Sequence, residues 1–149
     1  MNVLSAREPV PGGGSVCAAT GAMGVGLLMM AARYSAGKSP IKKVNERIDK
    51  IIARLEQIRT RLLEIVDEDA DAYLKFSQIP KIEKVQKEEA AQKTKAIPKE
   101  VSELCRTAVN LSGFIAQHGN VHLLVDIEVS AEILLASYRA ALILSRENE

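Results

Sequence analysis

No charged residue occurs between Val16 and Ala32, and this run follows directly on Pro9-Val-Pro-Gly-Gly-Gly-Ser15. Two prolines and three glycines cannot continue a helix or a strand, because proline fixes φ and removes a donor while glycine carries the largest entropy cost of ordering. The chain must therefore turn and start afresh, and the run after the turn predicts a helix from Val16 to about Ala36. At about 100° per residue, Ala18, Gly21, Ala22, Val25 and Gly26 share one side, while Val16, Met23, Leu27 and Met30 share the other. Length alone would allow a membrane span. The run is nevertheless Gly/Ala-rich and has no Trp or Tyr at its start, so burial by other protein is the better reading, with the small ridge admitting close helix contacts. A second copy of the chain is one candidate for part of that cover.

The turn has two readings. Ser15 stands where an N-cap belongs, and glycines before a helix leave its first N–H groups uncovered beside the positive end of the helix dipole, which suits an anion or a developing negative charge. Alternatively, the glycines only let two backbones approach.

At 149 residues the chain is long enough for one domain with a sizeable core, and residues 1–149 are expected to form a single domain with a lead-in segment over 1–14. A net charge of +1 gives no general attraction to nucleic acid, and 3% aromatic content without Trp removes most stacking platforms. Cys17 and Cys105 fall on helix faces with no metal-ligand spacing, as expected for reduced structural thiols in a cytoplasmic protein. The expected partners exclude nucleic acid and membrane.

Ser39-Pro40 has the form of an N-cap followed by proline at the first helical position. From there Ile48, Ile51, Ile52, Leu55, Ile58, Leu62, Ile65, Val66, Tyr73 and Phe76 recur at three- and four-residue spacing, predicting one long helix. Arg59 and Asp69 interrupt that stripe near its centre. A charge there must be paired, hydrogen-bonded or facing a wet cavity. Pro80 introduces a third helix over Lys81 to about Ala96 with a basic line at Lys81, Lys84 and Lys87. Ile97-Pro98 is expected to break or kink it, a fourth segment running to Gly119. The last helix spans about Asn120 to Arg146. Glu128, Glu132, Arg139 and Arg146 share one side of it and Val129, Ile133, Ala140 and Leu144 the other, with Asp126 in the middle of the apolar side. Asp126 is then either a buried cap or a carboxylate tuned for proton transfer. His118 and His122 have helical metal spacing, but Gly119-Asn120 between them reads as a helix end, so no metal site is expected. The fold expected is all-α, a single bundle of about five helices around a buried Gly/Ala-rich first helix.

Taken in order, Glu8-Pro-Val-Pro-Gly-Gly-Gly-Ser15 with its Ala/Gly-rich helix, Val66-Asp-Glu-Asp-Ala-Asp-Ala-Tyr73, Ile79-Pro-Lys81, Ile97-Pro98 and Gly119-Asn120…Asp126 resemble the cyclodeaminase/cyclohydrolase family, which includes the C-terminal domain of formiminotransferase-cyclodeaminase. The resemblance covers nearly the whole chain. It implies an all-α homodimer acting on reduced folates, by cyclising deamination of 5-formiminotetrahydrofolate to 5,10-methenyltetrahydrofolate or by hydrolysis of the latter, without metal or redox cofactor. Carried residue by residue, it assigns Gly12, Gly13, Gly14, Ser15, Lys81 and Asn120 to substrate binding and Asp69 and Asp126 to catalysis. The chain departs from the family at Val125, where serine is common, and at Leu144, where asparagine is expected, although Asn148 keeps the second of that pair. A rival reading is a non-enzymatic helical assembly protein of the same fold.

Overall fold

The computed structural model describes residues 3–80 and 82–147, without the side chain of Glu147. Four long helices run in chain order: α1 (Gly13–Ser35), α2 (Lys42–Gln78), α3 (Lys84–His118) and α4 (Leu124–Glu147), with a short 3₁₀ turn at Val121–Leu123 before the last. No strand occurs among the described residues. The connections are short, so consecutive helices run antiparallel. α1 packs against all three of the others, and α2 against α3 and α3 against α4 complete the bundle.

The expected helix count was about five. The difference lies at Pro98, which sits inside α3 rather than ending it. A proline forfeits one i→i−4 bond and crowds the carbonyl one turn back, but it does not end a helix whose following turns are held by tertiary packing. Here Ile97, Val101, Cys105, Ala108 and Ile115 are all buried along the same helix. At the start of α2 the expected Ser39 cap is also replaced: Ile41 is the N-cap position, and Asn45 reaches back, its Oδ1 accepting from the Ser39 N–H at 3.1 Å and its Nδ2 donating to the Ser39 carbonyl at 2.9 Å.

The two ridges of α1 have different fates. Ala18, Gly21, Ala22 and Val25 are buried, whereas Met23 is 64% exposed and Val16 also reaches the surface. Gly21 marks the centre of the bundle. A Cβ there would meet Cys105 Sγ of α3 at 2.8 Å, Ser137 Oγ of α4 at 3.1 Å and Leu62 Cδ1 of α2 at 3.3 Å. Three helices thus converge on one missing side chain, and one turn on, a Cβ at Gly24 would lie 2.9 Å from Leu134 Cγ. The buried seam of α4 that meets this face mixes small and large residues: Ile127, Ser130, Leu134, Ser137 and Ala141. Ser137 donates its hydroxyl proton to the Cys17 carbonyl at 2.7 Å, so the Cys105 thiol 3.3 Å away is the donor to Ser137 Oγ. This chain of bonds ties α1, α3 and α4 together.

α1 is long and apolar enough to cross a membrane by composition alone, yet 61% of its most apolar stretch is buried inside the bundle. At its far end Ser35 donates to the Ala31 carbonyl at 2.8 Å and accepts the Asn120 N–H at 2.8 Å. Gly119 is needed there because a Cβ would fall 2.7 Å from Ser35 Oγ.

Candidate active site

The apolar stripe of α2 outruns the helix that covers it. Ile48, Ile51, Leu55, Ile58, Leu62 and Ile65 are buried, but α1 begins only at Gly13, so the next three members of the stripe, Asp69, Tyr73 and Phe76, are left facing a cavity. Its volume is about 610 Å³, within the range of small-molecule sites. Pro9, Val10 and the glycine turn form one side, Ala91, Thr94, Lys95 and Pro98 of α3 another, and Leu144 of α4 closes a third.

Asp69 is held at the start of α1. Its Oδ2 accepts the Ser15 N–H at 2.7 Å and lies 2.9 Å from Ser15 Oγ, which is also 3.0 Å from the Val66 carbonyl. Ser15 is therefore not the N-cap expected from sequence. The N-cap position is Gly12, which has no side chain to supply a cap, and Ser15 sits within the first turn, 3% exposed. A carboxyl group from a neighbouring helix takes the place that a capping side chain or an anion would fill, at the positive end of the helix dipole. Gly14 allows this arrangement, since a Cβ there would sit 2.5 Å from Asp69 Cγ and 2.7 Å from Oδ2. The Asp69 charge is also felt by Cys17, whose thiol is pushed above its ordinary range first by burial and then by that carboxylate.

Of the residues singled out in the sequence, Gly12, Gly13, Gly14 and Asp69 line the cavity, and Ser15 stands directly behind Asp69. Lys81 lies outside the described residues. Asn120 is at the other end of α1, its N–H bound to Ser35, and Asp126 follows it in the first turn of α4. A 23-residue helix separates that end from the cavity by about 30 Å. Asn120 acts there as a cap, its side chain accepting from the His122 N–H at 3.1 Å. Asp126 is half-buried in the first turn of α4. The apolar side inferred for that helix is a flank, since the packed seam is the one centred on Ser130, Leu134 and Ser137. His118 ends α3 with its ring 4.4 Å from that of Phe114, and His122 belongs to the following 3₁₀ turn.

The aromatic and α3 walls were not anticipated as site residues. Tyr73 and Phe76 carried the signal, continuing the i, i+4, i+7 stripe past Asp69, and Leu144 did so as a departure from the family pattern.

The sequence profile described as formiminotransferase-cyclodeaminase matches residues 1–148. The chain is 25% identical over 151 aligned positions to the methenyltetrahydrofolate cyclohydrolase of Methylorubrum extorquens, a match covering 95% of this chain and 73% of that protein. It is 27% identical to the formimidoyltransferase-cyclodeaminase of Gallus gallus over 92% of its own length, but spans only 27% of that longer protein. In three dimensions it superposes with a TM-score of 0.93 on the crystal structure of a formiminotetrahydrofolate cyclodeaminase from Thermotoga maritima, covering 99% of this chain and 74% of that one at 23% identity. This last likeness speaks to fold.

Proposed function

This chain belongs to the formiminotransferase-cyclodeaminase family, and from that premise we propose that it is a folate one-carbon enzyme whose reaction centre is the cavity around Asp69. The observation that carries the reading is the Asp69 carboxyl group, anchored by Ser15 at a helix N-terminus and opening onto a cavity with an aromatic wall. Both candidate substrates carry a one-carbon unit between two nitrogens, and 5,10-methenyltetrahydrofolate is an amidinium cation. A fixed carboxylate matches that charge.

In hydrolysis, water adds to the methenyl carbon while Asp69 accepts its proton. Collapse of the tetrahedral carbon turns its C–OH into the formyl C=O and breaks one C–N bond; the proton passes from Asp69 to the departing nitrogen, and the hydroxyl proton leaves to solvent, which accounts for the charge of the cation. In cyclising deamination, N10 adds to the carbon of the protonated formimino group, Asp69 moves the N10 proton to the exocyclic nitrogen, and ammonia leaves. The carbon keeps its oxidation level in both reactions, so substrate and protons suffice and neither a metal nor a redox cofactor is required.

A homodimer belongs to the same proposal. Met23 and Tyr34 on α1 and Val125, Val129 and Ile143 on α4 are exposed apolar side chains on two adjacent helices, a surface suited to a second copy. A two-fold pairing with the α1 helices antiparallel would set the Gly13 end of one copy beside the Ser35 end of the other. The partner's Asn120 and the partner's Asp126 would then stand near the cavity, which gives those two residues a role that a single chain does not.

Incubation with each folate, followed by absorbance of the methenyl chromophore, tests the reading. Turnover of at least one compound is expected, with a fall of roughly 10²-fold or more in Asp69→Asn. Failure of the unmodified protein to process either compound would leave the helical assembly protein in its place.

A further inference from the structure

Pro98 is buried inside α3 and shares the cavity wall with Thr94. In an α-helix the carbonyl of residue i receives the N–H of residue i+4. Pro98 has no N–H to give, so the carbonyl of Thr94 loses that donor, and the pyrrolidine ring pushes it away from the helix axis. The Thr94 hydroxyl is already committed, donating to the Ala91 carbonyl at 2.8 Å. Two contacts between α2 and α3 set the height of this carbonyl. The Arg61–Glu100 ion pair lies on one side and the Lys87 ammonium over the Phe76 ring on the other. Asp69 and Thr94 each fall about midway along their own helix between those contacts, so they face each other across the cavity.

We infer that the main-chain carbonyl of Thr94, freed by Pro98, is a binding acceptor for a ring N–H of the substrate, opposite the Asp69 carboxylate. This rests on the folate reading above and deepens it. With Asp69 turned to the one-carbon unit, the Thr94 carbonyl is left to receive an N–H of the aminopyrimidinone ring that a reduced folate carries. A main-chain carbonyl without its helix donor costs free energy once a ligand covers it, so a ligand donor that reaches it is favoured over one that leaves it bare.

Thr94-Lys95 is the only Thr-Lys pair in the sequence. Protein labelled with carbonyl-¹³C threonine and ¹⁵N lysine therefore gives one carbonyl–amide correlation, and that signal reports this carbonyl alone. The probe is 5-formyltetrahydrofolate, a stable isostere of the formimino compound. A downfield move of the Thr94 carbonyl on saturation is expected. Pro98→Ala, which returns a helix N–H to the same carbonyl, should weaken probe binding about tenfold without lowering the melting temperature. If the probe binds in a calorimetric titration while the Thr94 carbonyl stays still and Pro98→Ala binds as tightly as the unmodified chain, the inference is wrong and the folate reading survives. If the probe does not bind at all, both fall together.

Discussion

Alanine at Gly14 and alanine at Gly13 are the same chemical change at adjacent positions of one helix turn, and the structure expects them to differ sharply. Either substitution removes backbone freedom from the unfolded chain and favours helix, a gain of up to about 1 kcal/mol. At Gly13 the new methyl meets only the tip of Leu144, with Cδ2 at 3.3 Å, and that flexible side chain can yield. At Gly14 it would lie 2.5 Å from Asp69 Cγ, so the carboxylate must retreat by roughly 1 Å to reach ordinary van der Waals separation. That retreat breaks the 2.7 Å bond from the Ser15 N–H and the 2.9 Å contact with its hydroxyl. Hydrogen bonds to a charged group contribute about 1.5–3 kcal/mol, and the helix dipole adds about 0.3–1 kcal/mol. Gly14→Ala is therefore expected to be about 2–4 kcal/mol less stable than Gly13→Ala. At roughly 2–4 °C per kcal/mol for a chain of this size, the two melting temperatures should stand on the order of 5–10 °C apart. Urea unfolding of both variants, with turnover measured alongside, gives the comparison. A double-mutant cycle completes it, because in an Asp69→Ala background the extra penalty at Gly14 should vanish. Two variants of equal stability, or a Gly14 penalty that persists without Asp69, would refute the anchoring of Asp69 at the helix start.

The remaining expectations concern the other end of the bundle and its surfaces. If paired copies complete each site, Asp69→Asn and Asp126→Asn proteins, each inactive alone, should regain part of the activity when unfolded together and refolded, whereas sites built within one chain would regain none. Met23→Lys should shift sedimentation at micromolar concentration from dimer to monomer while helicity by circular dichroism is unchanged; a monomer before substitution would remove the basis of the dimer proposal. Arg61 binds Glu64 and Glu68 on its own helix and Glu100 on α3, and its hydrogen bonds hold the Glu68 carboxyl below the ordinary glutamate range. A lowered carboxyl contributes stability that is present above the unfolded value and disappears as pH falls through the folded one. Arg61→Met should therefore cost about 1 kcal/mol at pH 7, a figure reduced by solvent screening, and the deficit should close as the solution is acidified below pH 4.

How much could be read from sequence depended on whether the decisive partner was local. The two ridges of α1 and the long stripe of α2 follow from helical periodicity and stand where expected. Asp69 was conspicuous because a charge on an apolar stripe needs a reason, but the reason, Ser15, is 54 residues away in sequence. Pro98 read as a break or kink because proline is a strong local signal, and only the buried run from Ile97 to Ile115 carries α3 through it. Asp126 misled for a different cause. Hydropathy ranks Val129 and Ile133 as the packed side of α4, yet the seam against Gly21 and Gly24 mixes Ser130 and Ser137 with Ile127, Leu134 and Ala141, so it looks half polar in one dimension.

The place of α1 at the centre of the bundle has a consequence for synthesis on the ribosome. α1 is made first, and the partner that closes its glycine side is made last: the Ser137–Cys17 hydrogen bond joins residues 120 positions apart. At about 5–20 residues per second, several seconds to tens of seconds pass between the emergence of the two. Throughout that interval an uncharged helix is exposed with no mate for its glycine face, and only α2 arrives early enough to shelter part of it. The nascent chain is thus most prone to capture by other apolar surfaces before α4 has left the exit tunnel. Slower decoding between α3 and α4 should lower the yield of folded protein, and a holdase chaperone acting on that early helix should restore it.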